Sequence, residues 1–137
     1  MKKFAAAAIS LALTTTSAHA VTFKDFTDTT SLNLLGTAQS VTTNDGAVLR
    51  LTGAQASQSG SAFSQQPLNA KSFSTYFRFR MTEPGGKIFD CNTTAGADGL
   101  TFVIQKASAS QGTAGIGIGY EGVKDSVAVE FDSWCNS

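Results

Sequence analysis

The segment Val127-Ala128-Val129-Glu130-Phe131-Asp132 constrains the fold of this chain most, because its residue alternation is that of a strand. Side chains point to opposite faces with period two. Val127, Val129 and Phe131 therefore share one face, and Ala128, Glu130 and Asp132 share the other. Two carboxylates side by side on an apolar strand repel one another and are costly to desolvate unless a cation or another partner offsets them. Trp134 and Asn136 follow just past the strand end and add a carbonyl and an amide oxygen. An all-oxygen set of this kind suits a hard cation, Ca²⁺ first, with Mn²⁺ beside it. The plain alternative is an acidic strand face that meets water, since E-x-D alone is common on antiparallel sheets.

Upstream stands Gly96-Ala97-Asp98-Gly99-Leu100-Thr101-Phe102-Val103-Ile104, followed by the glycine-rich Gly112-Thr113-Ala114-Gly115-Ile116-Gly117-Ile118-Gly119-Tyr120. The three segments, in this order, resemble the legume-type (L-type) lectins, and most closely their bacterial branch. There an A-D-G loop, a G-x-L-G-Y-like loop and a V-A-V-E-F-D-x-aromatic-x-N strand build one sugar site. The resemblance is clearest from Ser72 to Asn136 and runs more weakly back to about Phe23, through the Ala62-Phe63 to Pro67 region. It implies an all-β, concanavalin-like jelly-roll sandwich of antiparallel sheets. It also implies a calcium-dependent carbohydrate-binding module that does not turn its ligand over.

Residue by residue, the resemblance makes Glu130 a ligand of the transition-metal ion and Asp132 the carboxylate that bridges both ions. Trp134 would give its backbone carbonyl to Ca²⁺ and its ring to the sugar's apolar face. Asn136 would bind Ca²⁺ through oxygen and offer its NH₂ to a sugar hydroxyl. Asp98 would accept hydrogen bonds from two sugar hydroxyls, and a backbone N–H near Gly117 would complete the contacts. Sugars present paired hydroxyls beside an apolar ring face, so a carboxylate acceptor, an amide donor and an aromatic plate match them. In the family the bond equivalent to Ala97–Asp98 is cis.

Residues 1–20 read as a signal peptide: Lys2 and Lys3 form a basic start, Phe4 to Leu13 an apolar run, and Ala18-His19-Ala20 a small-x-small cleavage site. The apolar run is far short of the ~20 residues that span a bilayer. The expected mature chain begins at Val21, carries no membrane span, and is secreted or periplasmic. Formal net charge is zero and no basic stripe exists, which excludes nucleic acid as a partner and leaves a glycan or glycoconjugate. The one histidine, His19, leaves with the signal, so no histidine-based triad or histidine metal ligand remains. Asn92-Thr93-Thr94 matches a glycosylation sequon and reads as a loop in a bacterial protein.

Two cysteines, Cys91 and Cys135, in an oxidising compartment allow a disulfide, which spacing alone does not establish. The resemblance places their loops side by side and implies a mutual bridge; the alternative is that each pairs elsewhere.

Strands are expected over Ala47 to Thr52 after the Asn44-Asp45-Gly46 turn, over Ser72 to Met81, around Ile116 to Tyr120, and over Leu100 to Gln105 and Val127 to Asp132. Phe73, Phe77 and Phe79 fall on one face of the second of these and read as core, with Arg78 and Arg80 on a solvated face. All-β sandwiches often run about 200–250 residues. The chain has 137 residues. In the lectin family an Asp and a His ligand lie downstream of the position matching Asn136. Residues 21–137 are therefore expected to be the N-terminal portion of a larger lectin domain.

One enzyme class competes on the same sandwich. Certain glycoside hydrolases place nucleophile and acid on one strand as E-x-D-x-x-E, and retaining enzymes need carboxyls about 5–5.5 Å apart. Here Glu130 and Asp132 are followed by Cys135 at the acid/base place. With Asp98 also present, binding is favoured over hydrolysis.

Overall fold

The computed structural model describes residues 21–83, 96–106 and 112–134. Its regular structure is six strands and a single 3₁₀ turn, in the order β1 (Leu32–Gly36), β2 (Gln39–Thr43), β3 (Gly46–Arg50), β4 (Gly60–Ser64), β5 (Gly99–Gln105), the turn Gly115–Gly117, and β6 (Ser126–Asp132). The strands pair antiparallel as β1–β4, β2–β3 and β5–β6. The molecule is all-β, as expected for a concanavalin-like fold. Among the described residues no helix is long and apolar enough to cross a membrane.

The β2–β3 hairpin closes through Asn44 and Asp45, with Thr43 opposite Gly46. Gly46 adopts φ 91°, a left-handed value that side chains resist. Thr43 Oγ1 accepts from the Asp45 N–H at 3.1 Å and donates to the Gly46 carbonyl at 3.1 Å, so one hydroxyl ties both sides of the turn.

The β1–β4 ladder meets this hairpin backbone to backbone. A Cβ added to Gly60 would lie 2.0 Å from the Leu51 carbonyl oxygen, so only glycine permits the approach. Thr37 reinforces the junction, its Oγ1 reaching the Leu51 carbonyl at 2.8 Å and the Ser59 carbonyl at 3.1 Å. The N-terminal stretch joins through Phe26, whose N–H donates to the Ala47 carbonyl at 3.2 Å, and whose ring stacks on Phe23 at 5.4 Å.

The strand expected over Ser72 to Met81 takes part in no ladder among the described residues. Its alternation nevertheless has a physical consequence. Phe77 packs on Phe102 at 5.5 Å and edge-on against Phe131 at 6.0 Å, while Phe79 meets Phe131 at 4.8 Å. The periodicity reported which side chains face the sheet, and backbone pairing requires a neighbour as well. The phenylalanines are partly covered rather than enclosed, with Phe73 55% and Phe79 48% exposed. On the other face Arg80 pairs with Asp45 at 2.7 Å in the open, an arrangement of little energetic weight.

The strand expected around Ile116 to Tyr120 is instead the 3₁₀ turn Gly115–Gly117, leaving through Ile118 at φ 44° and Gly119 at φ 74°. Successive left-handed residues curl the backbone and forbid an extended ladder.

Candidate functional site

The site is assembled on β5 and β6. Their register sets Gly99 opposite Asp132, Leu100 opposite Phe131, Thr101 opposite Glu130 and Phe102 opposite Val129. With period two, one face collects Leu100, Phe102, Val129 and Phe131, the face on which Phe77 and Phe79 lie. The other face collects Thr101, Glu130 and Asp132. Glu130 and Asp132 are both exposed, so water screens their mutual repulsion.

Ala97–Asp98 is a cis peptide bond immediately before β5. The Asp98 carbonyl accepts the Ser133 N–H at 2.9 Å, and Ser133 Oγ donates to the Gly96 carbonyl at 3.2 Å. The Asp98 loop is thereby clamped to the exit of β6. Gly99 makes the closeness possible: it sits at φ 147°, and a Cβ there would lie 2.5 Å from the Phe131 carbonyl oxygen. Beyond β6 the Trp134 N–H donates to Asp132 Oδ1 at 2.7 Å. That turn orients the carboxylate and begins the Trp134 loop together.

The glycine-rich segment from Gly112 to Val123 folds over the acidic face. Gly112 N–H donates to the Gly119 carbonyl at 2.9 Å, and Gly119 N–H returns to the Thr113 carbonyl at 2.8 Å. Thr101 Oγ1 donates to the Ile118 carbonyl at 3.1 Å. The Tyr120 hydroxyl donates to Glu130 Oε1. That bond, and then the Glu130 charge, push the Tyr120 phenol above its ordinary value, since losing the proton would set two anions against each other.

Gly115 and Gly117 have different places. A Cβ on Gly115 would lie 3.9 Å from Asp98 Oδ2, so this glycine's backbone borders the carboxylate. Gly117 is buried, and a Cβ there would come within 2.8 Å of Glu121 Cβ and 2.9 Å of Thr113 Cβ. Gly117 thus packs the loop together, while Gly115 faces Asp98.

The legume lectin domain family matches residues 18–137 of the chain. The chain belongs to this family. Among curated proteins and among solved structures, none matches it. Legume lectin domains are non-enzymatic carbohydrate-binding modules, and they generally bind Ca²⁺ and Mn²⁺. A carbohydrate-binding lectin function follows for this chain.

The donor chemistry of this lectin domain fits such ions in kind: Glu130 and Asp132 offer carboxylate oxygen from one strand face. Among the described residues no group of three or more His, Cys, Asp or Glu side chains gathers. Asn136, Cys91 and Cys135 lie outside the described residues, as do residues 1–20. Sequence reasoning gave Tyr120 no role of its own, placing it at the end of a glycine-rich motif and of a short expected strand. The signal that would have singled it out is a lone tyrosine closing a glycine loop ahead of an acidic strand.

Proposed function

We propose that this lectin domain is a calcium-dependent glycan-binding module of a secreted or periplasmic bacterial protein, binding without turnover. The observation that carries this reading is the meeting of three segments at one end of the β5–β6 ladder. There the Asp98 carboxylate lies beside the Gly115 backbone, and the Asp98 backbone carbonyl is clamped by the Ser133 N–H next to the Asp132–Trp134 turn.

In this reading Asp98 accepts from paired sugar hydroxyls, a backbone amide of the Gly115–Gly117 turn donates, and the Trp134 ring covers the apolar sugar face. Glu130 and Asp132, with the Trp134 carbonyl and Asn136, hold the cations. A bound cation supplies fixed positive charge that stabilises the paired carboxylates. Asp132, already bonded to the Trp134 amide, orders the loop that bears the aromatic plate, which lowers the entropy lost on binding. A Cys91–Cys135 bridge would fasten the neighbouring loops.

Glycan-array binding with and without chelator, run beside a reducing-end hydrolysis assay, tests the reading. Asp98→Ala is expected to abolish binding with folding retained, because it removes a loop carboxylate and leaves the backbone clamp. Chelator-insensitive binding would refute the metal role. Steady release of reducing ends would move the protein to the glycoside hydrolases of the same architecture.

A further inference from the structure

The loop from Gly112 to Val123 is a self-contained unit. Beyond the bonds already described, Thr113 N–H donates to the Glu121 carbonyl at 3.0 Å, Ile118 N–H to Gly115 at 2.8 Å, and Tyr120 and Glu121 N–H groups to Gly117 at 2.9 and 3.0 Å. Such a unit moves as one body unless something fixes it to the sheet. Among the described residues its side-chain ties to the β5–β6 ladder are Thr101 to the Ile118 carbonyl, the Tyr120 hydroxyl to Glu130, and, where the loop runs into β6, Ser126 Oγ to the Val123 carbonyl at 2.7 Å. Thr101 and Glu130 are directly opposed in the ladder register, so the two ties that hold the middle of the loop land on a single cross-strand pair, while the Ser126 tie holds only its end.

We infer that Tyr120 is a positioning residue: it pins the glycine-rich loop to the acidic strand face, and does so on a carboxylate that the proposed cation site uses. The pin itself stands on geometry, while its consequence for ligand binding rests on the proposed lectin reading. Two effects follow. First, the Gly115 end of the loop borders Asp98, so rotation of the loop about the Thr101–Glu130 pair carries the backbone donor away from the carboxylate acceptor. Second, an O–H held on Oε1 fixes the orientation of the Glu130 carboxylate, and hence the direction of its other oxygen. Partners that orient a ligating carboxylate in this way typically set metal affinity by about 10–100-fold. Cation and loop are thus coupled through one side chain, and the coupling runs equally in both directions.

Tyr120→Phe removes one oxygen and keeps the ring. Its effect is read in the full chain by hydrogen exchange of the 112–123 amides without metal, and by Mn²⁺ affinity from the spin-resonance signal of the free ion. The expected result is roughly tenfold faster exchange confined to the loop, unchanged exchange in β5 and β6, and about tenfold weaker Mn²⁺ binding. Glu130→Gln, which keeps an acceptor oxygen, should preserve loop protection while weakening Mn²⁺. Glu130→Ala should lose both. A Tyr120→Phe chain whose loop exchange equals wild type overturns the pin, as does faster exchange spread evenly over loop and ladder. If the wild-type chain takes up no Mn²⁺, the cation half of the inference falls with the metal reading, and the exchange comparison still decides the pin. If Mn²⁺ binds but Tyr120→Phe leaves its affinity unchanged, the coupling alone is refuted.

Discussion

The β1–β4 region and the β5–β6 region are both built of antiparallel pairs, but different forces hold them. In the first, five-residue strands are joined by short-range backbone fit: Gly60 against Leu51, with Thr37 and Thr43 hydroxyls stitching adjacent carbonyls. In the second, seven-residue strands carry aromatic contacts on one face and carboxylates on the other. The comparison shows where each region is free to change. The first depends on the absence of a side chain at a few points. The second depends on the identity of side chains on both faces, which is the condition for carrying chemistry.

The largest expected effect sets the regions against each other through their glycines. Gly60→Ala forces a Cβ to within 2.0 Å of the Leu51 carbonyl oxygen, and should cost about 3 kcal/mol in chemical denaturation. Gly99→Ala meets the Phe131 carbonyl oxygen at 2.5 Å from a φ of 147°. It should cost about 2 kcal/mol and also abolish glycan binding, because Asp98 is its neighbour. Wild-type stability for Gly60→Ala would break the comparison. Retained glycan binding in folded Gly99→Ala would break the link between register and site.

A smaller effect is the alkaline titration of Tyr120. Its folded value is raised, so the hydrogen bond to Glu130 contributes fully below the ordinary value of 10.0 and is lost as pH rises through the raised one. Glu130→Gln should bring tyrosinate formation at this residue back toward 10.0, read by ultraviolet absorbance against a Tyr120→Phe control. An unmoved titration would show that the carboxylate does not set the phenol.

The smallest effect belongs to the N-terminal stretch. Asp25 Oδ1 accepts from the Thr27 hydroxyl at 2.6 Å and from its N–H at 3.0 Å. These bonds, the hydroxyl first, hold the carboxyl below 3.8. Their contribution is present above that value and lost as pH falls through the lowered one. Thr27→Ala should move the Asp25 carboxyl part of the way back to 3.8 by NMR titration, with global unfolding unchanged.

What the sequence made legible follows the same division. The β5–β6 region was read nearly residue for residue, because Val127 to Asp132 and Leu100 to Gln105 alternate strongly and the resemblance anchored Asp98 to a cis bond that the structure contains. β1, β2 and β4 escaped notice. Gln39–Thr43 has Val41 as its one apolar residue, and a five-residue strand of Ser and Thr carries almost no periodic signal. The stretch over Ser72 to Met81 had the pattern without a ladder partner, since pairing is a property of two segments and periodicity of one. The loop error had another cause. Gly115, Gly117 and Gly119 alternate with isoleucines, which mimics a strand, while the backbone freedom of glycine selects a turn.

The Ser133–Asp98 clamp lies at the open end of the β5–β6 ladder. The connecting segment enters at the other end, beyond the Gln105–Ser126 pair. A ladder of this kind closes from its connected end, where the entropy of bringing chain together is least, and opens from the far one. Within this ladder the Ser133–Asp98 clamp therefore sits at the end where fraying is expected to begin. Ligand recognition should fade over a temperature range in which the strands themselves are still paired, so a glycan held across that end would act as a fastener of the ladder's open end.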